Sequence, residues 1–204
     1  MTNVSAINIV ASMAYDGDYQ ACDFIGVDKG CQYLIDKGIH MVASVGDFDS
    51  IDEGYLDQIE SYSELYLKLE PIKDITDLEA ALLLAMDMGY TLFNIYGGLG
   101  GRLDHTLTNL NLLKKYDGLI FYDETTKVVK LDNSCIHEIV ENKAYQYYSF
   151  FAVNQAVLSL TDFKYPLKDY AINSQDSMCV SNELLEGKSG KVKTSEDVIM
   201  VATR

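Results

Sequence analysis

Three short segments carry the side chains best suited to chemistry. The first, Gly46-Asp47-Phe48-Asp49-Ser50, puts two carboxylates two positions apart, directly after the apolar run Met41–Val45. On an extended backbone rising about 3.3 Å per residue, positions i and i+2 share a face roughly 6.5–7 Å apart. Such a pair could hold one divalent ion or bracket two. A plain turn competes with that reading, because Gly, Asp and Ser are turn formers. In the second segment, Lys73-Asp74-Ile75-Thr76-Asp77, two acids flank Thr76 where a helical pattern begins. First-turn acids also occur simply because they favour the helix dipole; Lys73 supplies a cation where the two acids repel. The third segment runs from Tyr96 to His105 and holds Gly97, Gly98, Gly100 and Gly101. Glycines between a strand and a helix let backbone N–H groups approach an anion closely. The segment is neither a Walker A loop nor a dinucleotide fingerprint: no Gly-Lys-Ser/Thr closes it, and Leu103 stands where the second pattern needs glycine. Arg102 adds a bidentate donor for phosphate and Asp104 another acid at a helix start. His105, taken alone, reads more readily as a satisfied surface or core histidine than as a catalyst.

The elements that must position these segments alternate through the first part of the chain. Residues 4–12, 23–28, 41–45, 64–69, 91–97 and 118–123 read as strands, and 31–38, 76–89 and 102–116 as helices. The helix after Thr76 is the clearest: Leu78, Ala81, Leu82, Ala85 and Met86 follow the i, i+3, i+4, i+7, i+8 template. Thr76 and Glu79 have capping-box spacing at its start, and Gly89 suits its end. Alternating strands and helices imply a mostly parallel sheet covered on both faces. Beyond Asp123 the texture changes. Segments 127–132, 137–141, 144–153, 156–163 and 197–204 are rich in β-branched and aromatic residues between turn-like clusters. The expected organisation is therefore an α/β domain over 1–123, followed by a small all-β sandwich domain over 124–204. In open α/β sheets ligands sit beyond the carboxyl ends of the strands. All three chemical segments fall at such ends, where one crevice could gather their acids and arginine. That convergence favours a divalent metal with a phosphorylated ligand over three unrelated turns.

Composition narrows the partners. The 204 residues carry 31 acids against 16 bases, a formal charge of −15. Phosphate backbones need a basic footprint, so nucleic acid is excluded as a partner, and an anionic membrane surface with it. A phosphorylated substrate must arrive with a cation or meet a local basic cluster; Mg²⁺ held by carboxylates turns such a rim into a phosphate site. Cys22, Cys31, Cys135 and Cys179 show no C-x-x-C spacing and read as reduced thiols. No signal-peptide pattern and no membrane-length apolar run is present, which gives a cytoplasmic expectation.

Taken in order and spacing, "GDFDS", "KDITD" and "GGLGGRLDHTLTNLNLL" resemble the thiamine pyrophosphokinase family. "GVDKG", with Asp28 and Gly30, is similar to the segment that opens the family's nucleotide site, while "DFKYPL" and "CVSNEL" resemble its C-terminal segments. The resemblance implies a homodimer with its active site at the subunit interface, an α/β domain that handles ATP and Mg²⁺, and a β-sandwich that helps hold thiamine. It implies transfer of pyrophosphate from ATP to the thiamine hydroxyl, giving AMP and thiamine diphosphate. By matched position, Asp47, Asp49, Asp77 and Asp104 become the metal acids, with Asp74 close by and Arg102 on phosphate. The nucleotide set comprises Asp28, Gly30, Lys73, Gly98, Gly100, Gly101 and His105; Ser181 and Asn182 form the thiamine set. Two other readings stay open on the residues alone. D-x-D-S after an apolar run loosely matches phosphatases with an aspartate nucleophile, and a non-enzymatic nucleotide or thiamine sensor could use the same fold.

Overall fold

The computed structural model describes residues 4–70 and 74–204, and the chain divides into two compact units, Met1–Glu124 and Thr125–Arg204. The first unit runs β1 (Ala6–Val10), β2 (Asp23–Val27), α1 (Lys29–Asp36), β3 (Met41–Gly46), α2 (Glu53–Tyr62), β4 (Ser63–Lys68), α3 (Asp77–Asp87), β5 (Leu92–Tyr96), α4 (Leu103–Lys115) and β6 (Leu119–Tyr122). Its strands lie in the order β4-β3-β2-β1-β5-β6, every neighbouring pair parallel. Parallel strands need crossovers, and right-handed crossovers put helices of leftward and rightward steps on opposite faces. The chain steps outward from β1 through β2 and β3 to β4, and on the other side from β5 to β6. β1 and β5 are thus the pair at which the winding reverses.

Burial on both faces explains the apolar strands. Ile7, Ile9, Ile25, Ala43, Val45 and Ile95 are all fully buried. On one face Val10 and Met41 pack with Leu34 and Ile35 of α1 and Ile59 of α2. Helix α3 buries Leu78, Ala81, Leu82 and Ala85, the stripe expected from its spacing. Its cap differs in one respect from a full capping box. The Glu79 N–H donates to Thr76 Oγ1 at 3.2 Å, but the Glu79 carboxylate accepts instead from Lys115 Nζ at 2.6 Å and Tyr116 OH at 2.8 Å. That carboxylate ties the start of α3 to the end of α4. Helix α2 is an element the sequence reading did not include; only Ile59 of it is buried.

The second unit holds β7 (Thr126–Leu131), β8 (His137–Ile139), β9 (Tyr147–Ala152), β10 (Gln155–Thr161), β11 (Leu167–Asn173), β12 (Gly190–Thr194) and β13 (Val198–Thr203). Antiparallel β7-β13-β9 and antiparallel β11-β10-β12-β8 form two layers. Their inner faces share one core, in which Phe150, Val198 and Met200 meet Leu158, Leu160, Phe163 and Val192. The strand residues between them point outward, as the two-residue period requires. Strands β11 and β12 were not foreseen. In β11 most residues are exposed, and its pairing with β10 shifts register between Leu158 and Leu160.

Candidate active site

The site begins at the strand ends flanking the reversal. Ala11, Ser12 and Met13 leave β1 beside Gly97 and Gly98, which leave β5; the Ala11 N–H donates to Tyr96 O at 2.8 Å and the Met13 N–H to Gly97 O at 3.1 Å. A cavity of about 450 Å³ opens there, lined among others by Asp28, Asp47, Asp49, Asp77, Gly98, Gly100, Arg102 and His105. Acids from three separate segments and the arginine of the glycine-rich loop thus share one cavity of the first unit. The second unit carries larger depressions of about 840 and 590 Å³. The larger has Glu196 as its one charged lining residue, and the other mixes Lys127 and Lys143 with Glu138 and Glu141. Neither combines a glycine loop with an arginine.

Two backbone devices shape the acid wall. Asp28 and Phe48 both adopt positive φ, 46° and 61°, a conformation that costs a non-glycine residue of order 1–3 kcal/mol. Phe48 is held in it by burial and by stacking on Tyr66, with ring centroids 5.0 Å apart. The Phe48 N–H points to Asp28 Oδ1 at 3.4 Å, joining the two strained positions. The expected extended geometry of Asp47 and Asp49 is therefore not what forms. The chain turns at Phe48, and the Asp49 N–H donates to Asp47 Oδ1 at 3.2 Å, an Asx-type turn. Turn and cavity wall are one structure: the inward Phe48 is the anchor from which both flanking acids reach the cavity. Glycine is required at Gly46, where a Cβ would lie 2.0 Å from Asp28 Oδ1, and at Gly30, where it would lie 1.9 Å from the Val10 carbonyl oxygen.

The glycine loop is held from α4. Asn109, buried, donates from Nδ2 to Gly98 O at 2.7 Å, and Thr106 Oγ1 donates to Gly100 O at 3.0 Å. Asn109 also lines the cavity. The sequence reading singled out neither residue, although their i, i+3 spacing puts two polar groups on the helix face nearest the loop.

The remaining expected residues are placed as follows. Asp104 does not line the cavity. It forms a bidentate pair with Arg102, at 3.2 Å to Nε and 2.6 Å to Nη2, on the exposed start of α4. Those bonds hold its carboxyl down at about 2. Asp74 is exposed and, with Gly101, stands outside the lining; Gly30 is buried within α1. Lys73 lies outside the described residues. In the second unit Ser181 is exposed with φ 58°, its N–H bonded to Ser149 Oγ at 3.0 Å. Asn182 beside it is buried, and its amide bridges Tyr165 N and O at 3.0 and 2.8 Å and accepts from Glu183 N at 2.9 Å. Its backbone pairs in both directions with Tyr148. Asn182 thus builds the loop that displays Ser181.

The donor set of the cavity suits a hard cation. Asp47, Asp49 and Asp77 offer oxygen only, and ions such as Mg²⁺ take one or two carboxylates, several waters and substrate phosphates rather than a closed protein cage. Among the described residues, the trio with donor atoms within 4.8 Å of one another is Asp132, Cys135 and His137, in the second unit.

Fold and cavity together define an α/β protein with an acid-lined cavity at the switch point of its sheet, where ligands of such folds sit, joined to a β-sandwich unit. Residues 19–128 match the thiamin pyrophosphokinase catalytic domain, and residues 136–199 match the thiamin pyrophosphokinase vitamin B1 binding domain. A thiamine pyrophosphokinase of Bacillus subtilis is 36% identical over 176 residues, covering 81% of this chain and 79% of its own. The crystal structure of a Bacillus subtilis thiamine pyrophosphokinase superposes with a TM-score of 0.87 at 32% identity, covering 98% of this chain and 99% of that one. One from Geobacillus thermodenitrificans gives 0.85 at 29% identity, covering 98% and 97%. The chain belongs to the thiamine pyrophosphokinase family.

Proposed function

We propose that this chain transfers the pyrophosphoryl group of ATP to the hydroxyl of thiamine, forming AMP and thiamine diphosphate. Family membership supports the activity, and the observation that carries its assignment to a place is the convergence of Asp28, Asp47, Asp49, Asp77 and Arg102 on one cavity at the switch point. In the reaction the thiamine oxygen bonds to the β-phosphorus in line, the bond from that phosphorus to the bridging oxygen breaks, AMP departs with that oxygen, and the hydroxyl proton passes to a base or to water. Catalysis of this kind rests on positioning and charge stabilisation. Arg102 clamps phosphate oxygens with its guanidinium fork, and the glycine loop, braced by Asn109 and Thr106, presents backbone N–H groups to them. Asp104, held at about 2 by its hydrogen bonds from Arg102, is a poor proton acceptor near neutrality. Its role is to orient Arg102, and Asp77 on the cavity wall orients the attacking hydroxyl. Asp47, Asp49 and Asp77 would hold a Mg²⁺ ion, which supplies neutralisation of charge on the phosphates. His105, Gly98, Gly100 and Asp28 complete the nucleotide side.

The working form in this proposal is a cytoplasmic homodimer with its active site at the subunit interface and Ser181 against the aminopyrimidine of thiamine. The acidic charge of −15 suits a cationic acceptor whose thiazolium ring tolerates carboxylates and aromatic faces. Incubation of the purified chain with ATP, Mg²⁺ and thiamine, followed by chromatography, tests the reading. AMP and thiamine diphosphate in equal amounts are expected; ADP with thiamine monophosphate, or free phosphate alone, would contradict it.

A further inference from the structure

The geometry points to a second metal site, away from the cavity, in which Asp132, Cys135 and His137 bind a borderline-soft divalent cation such as Zn²⁺. These three residues span the link between β7 and β8, the sequence D-x-x-C-x-H, and their donor atoms all lie within 4.8 Å of one another. Zinc takes this mixture of thiolate, imidazole and carboxylate, whereas the oxygen-only cavity suits a harder ion.

The histidine is already oriented as a ligand. His137 Nε2 lies 2.8 Å from the Asp132 backbone oxygen. A carbonyl can only accept, so Nε2 carries the proton and the neutral ring leaves its lone pair on Nδ1. It is Nδ1 that faces Cys135 Sγ, at 3.9 Å. Bonds of about 2.3 Å to sulfur and about 2.0–2.1 Å to nitrogen at a tetrahedral angle separate those two atoms by about 3.6 Å. Closing the pair on one ion therefore needs a shift of only a few tenths of an ångström. A backbone carbonyl on the far ring nitrogen is the usual outer partner of a metal-bound histidine. The Asp132 carboxylate starts on the Nε2 side of the ring, its Oδ1 3.6 Å from His137 Nε2 and accepting from the Ser134 N–H at 2.9 Å and from Ser134 Oγ, so it must turn away from Ser134 to join Nδ1 and Sγ on the ion. Three protein donors leave a fourth position to water.

Binding displaces the Cys135 thiol proton to solvent, so affinity rises with pH. Cys135 is the exposed member of the four free cysteines, with Cys31 and Cys179 buried and Cys22 half-buried. The mechanical consequence follows from topology. Asp132 directly follows β7 of one layer and His137 opens β8 at the edge of the other, so an ion bound here staples the two layers of the sandwich.

The test is a titration of the reduced full chain with Co²⁺ in excess Mg²⁺, which keeps the oxygen-lined cavity filled with the harder ion. One Co²⁺ per chain is expected, with a near-ultraviolet thiolate-to-cobalt charge-transfer band that Zn²⁺ then abolishes. Cys135→Ser should remove the band, and Asp132→Asn should weaken binding by more than about tenfold, the scale of losses at even the outer partners of metal sites. Zn²⁺ should also protect Cys135 from alkylation in the native chain, read by peptide mass, and raise the thermal midpoint of the wild type but not of Cys135→Ser. Absence of a thiolate band in the wild type, or its persistence in Cys135→Ser, overturns the proposal. Alkylation of Cys135 at an unchanged rate under saturating Zn²⁺ does so without recourse to any variant. None of these readouts depends on pyrophosphoryl transfer.

Discussion

Replacing Phe48 by Ala and, separately, by Gly separates the two things this residue does. Its ring is 4% exposed and stacked on Tyr66, so truncation to Ala removes a packed aromatic, a change that costs about 3–5 kcal/mol in cores. Its φ of 61° stays with Ala, which gains nothing from the loss. Gly adopts that conformation freely, and the left-handed region costs other residues about 1–2 kcal/mol. Phe48→Gly should therefore be more stable than Phe48→Ala in urea unfolding by about 1 kcal/mol, with Phe48→Ala about 3–5 and Phe48→Gly about 2–4 kcal/mol below wild type. Domains of this size have roughly 5–15 kcal/mol of stability, so a loss of this size leaves a folded chain at 25 °C over all but the low end of that range. Kinetics carry the second half of the prediction. Asp47 and Asp49 are placed by the turn that Phe48 anchors, and misplacement of catalytic groups by about 1 Å costs on the order of 100-fold. kcat/KM for ATP should fall on that scale in Phe48→Ala, measured where circular dichroism shows a native chain. A Phe48→Ala chain more stable than Phe48→Gly refutes the strain argument. Near-wild-type kcat/KM in a destabilised Phe48→Ala refutes the anchoring argument.

Other perturbations have equally definite outcomes. Asp47→Asn should lower kcat by at least about 100-fold, the scale of losing one preorganised electrostatic group, with the unfolding midpoint unchanged; AMP formation within tenfold of wild type would remove Asp47 from the site. Glu79 is held below the ordinary carboxyl range by hydrogen bonds from Lys115 and then Tyr116, and its side chain is 10% exposed. Its ionisation therefore stabilises the chain above the unfolded value near 4.3 and ceases to do so as pH falls through the lower folded value. Glu79→Gln should cost about 1–2 kcal/mol at pH 7, the difference between charged and neutral hydrogen bonds, and the gap from wild type should narrow below about pH 4; a gap independent of pH is the contrary result. Asn182→Ala strands the N–H and C=O of Tyr165, which should cost about 2–3 kcal/mol in urea unfolding. Ser181→Ala should leave stability unchanged and instead raise KM for thiamine.

Much of this protein was readable from its residues because local rules reach that far. The alternation of strand and helix, the apolar stripe of α3 and the switch to two-residue periodicity after Asp123 follow from which faces must be buried. The acids, the glycines and Arg102 could be picked out because loops at the carboxyl ends of parallel strands are where ligands sit. Elements with weak burial escaped. Helix α2 buries only Ile59, and β11 is exposed along most of its length, so neither imposed a clear period on its sequence. What only the tertiary structure decided concerns partners far apart in the chain. No local rule says that Phe48 turns inward with positive φ to stack on Tyr66, that Glu79 leaves its own cap for Lys115, or that Asn109 pins the Gly98 carbonyl. Such choices depend on which groups the fold delivers to the same few ångströms, and a buried hydrogen-bonding group accepts whichever partner satisfies it. Side-chain chemistry and spacing thus specify the ingredients of the site, and the packing of strands and helices decides what each ingredient touches.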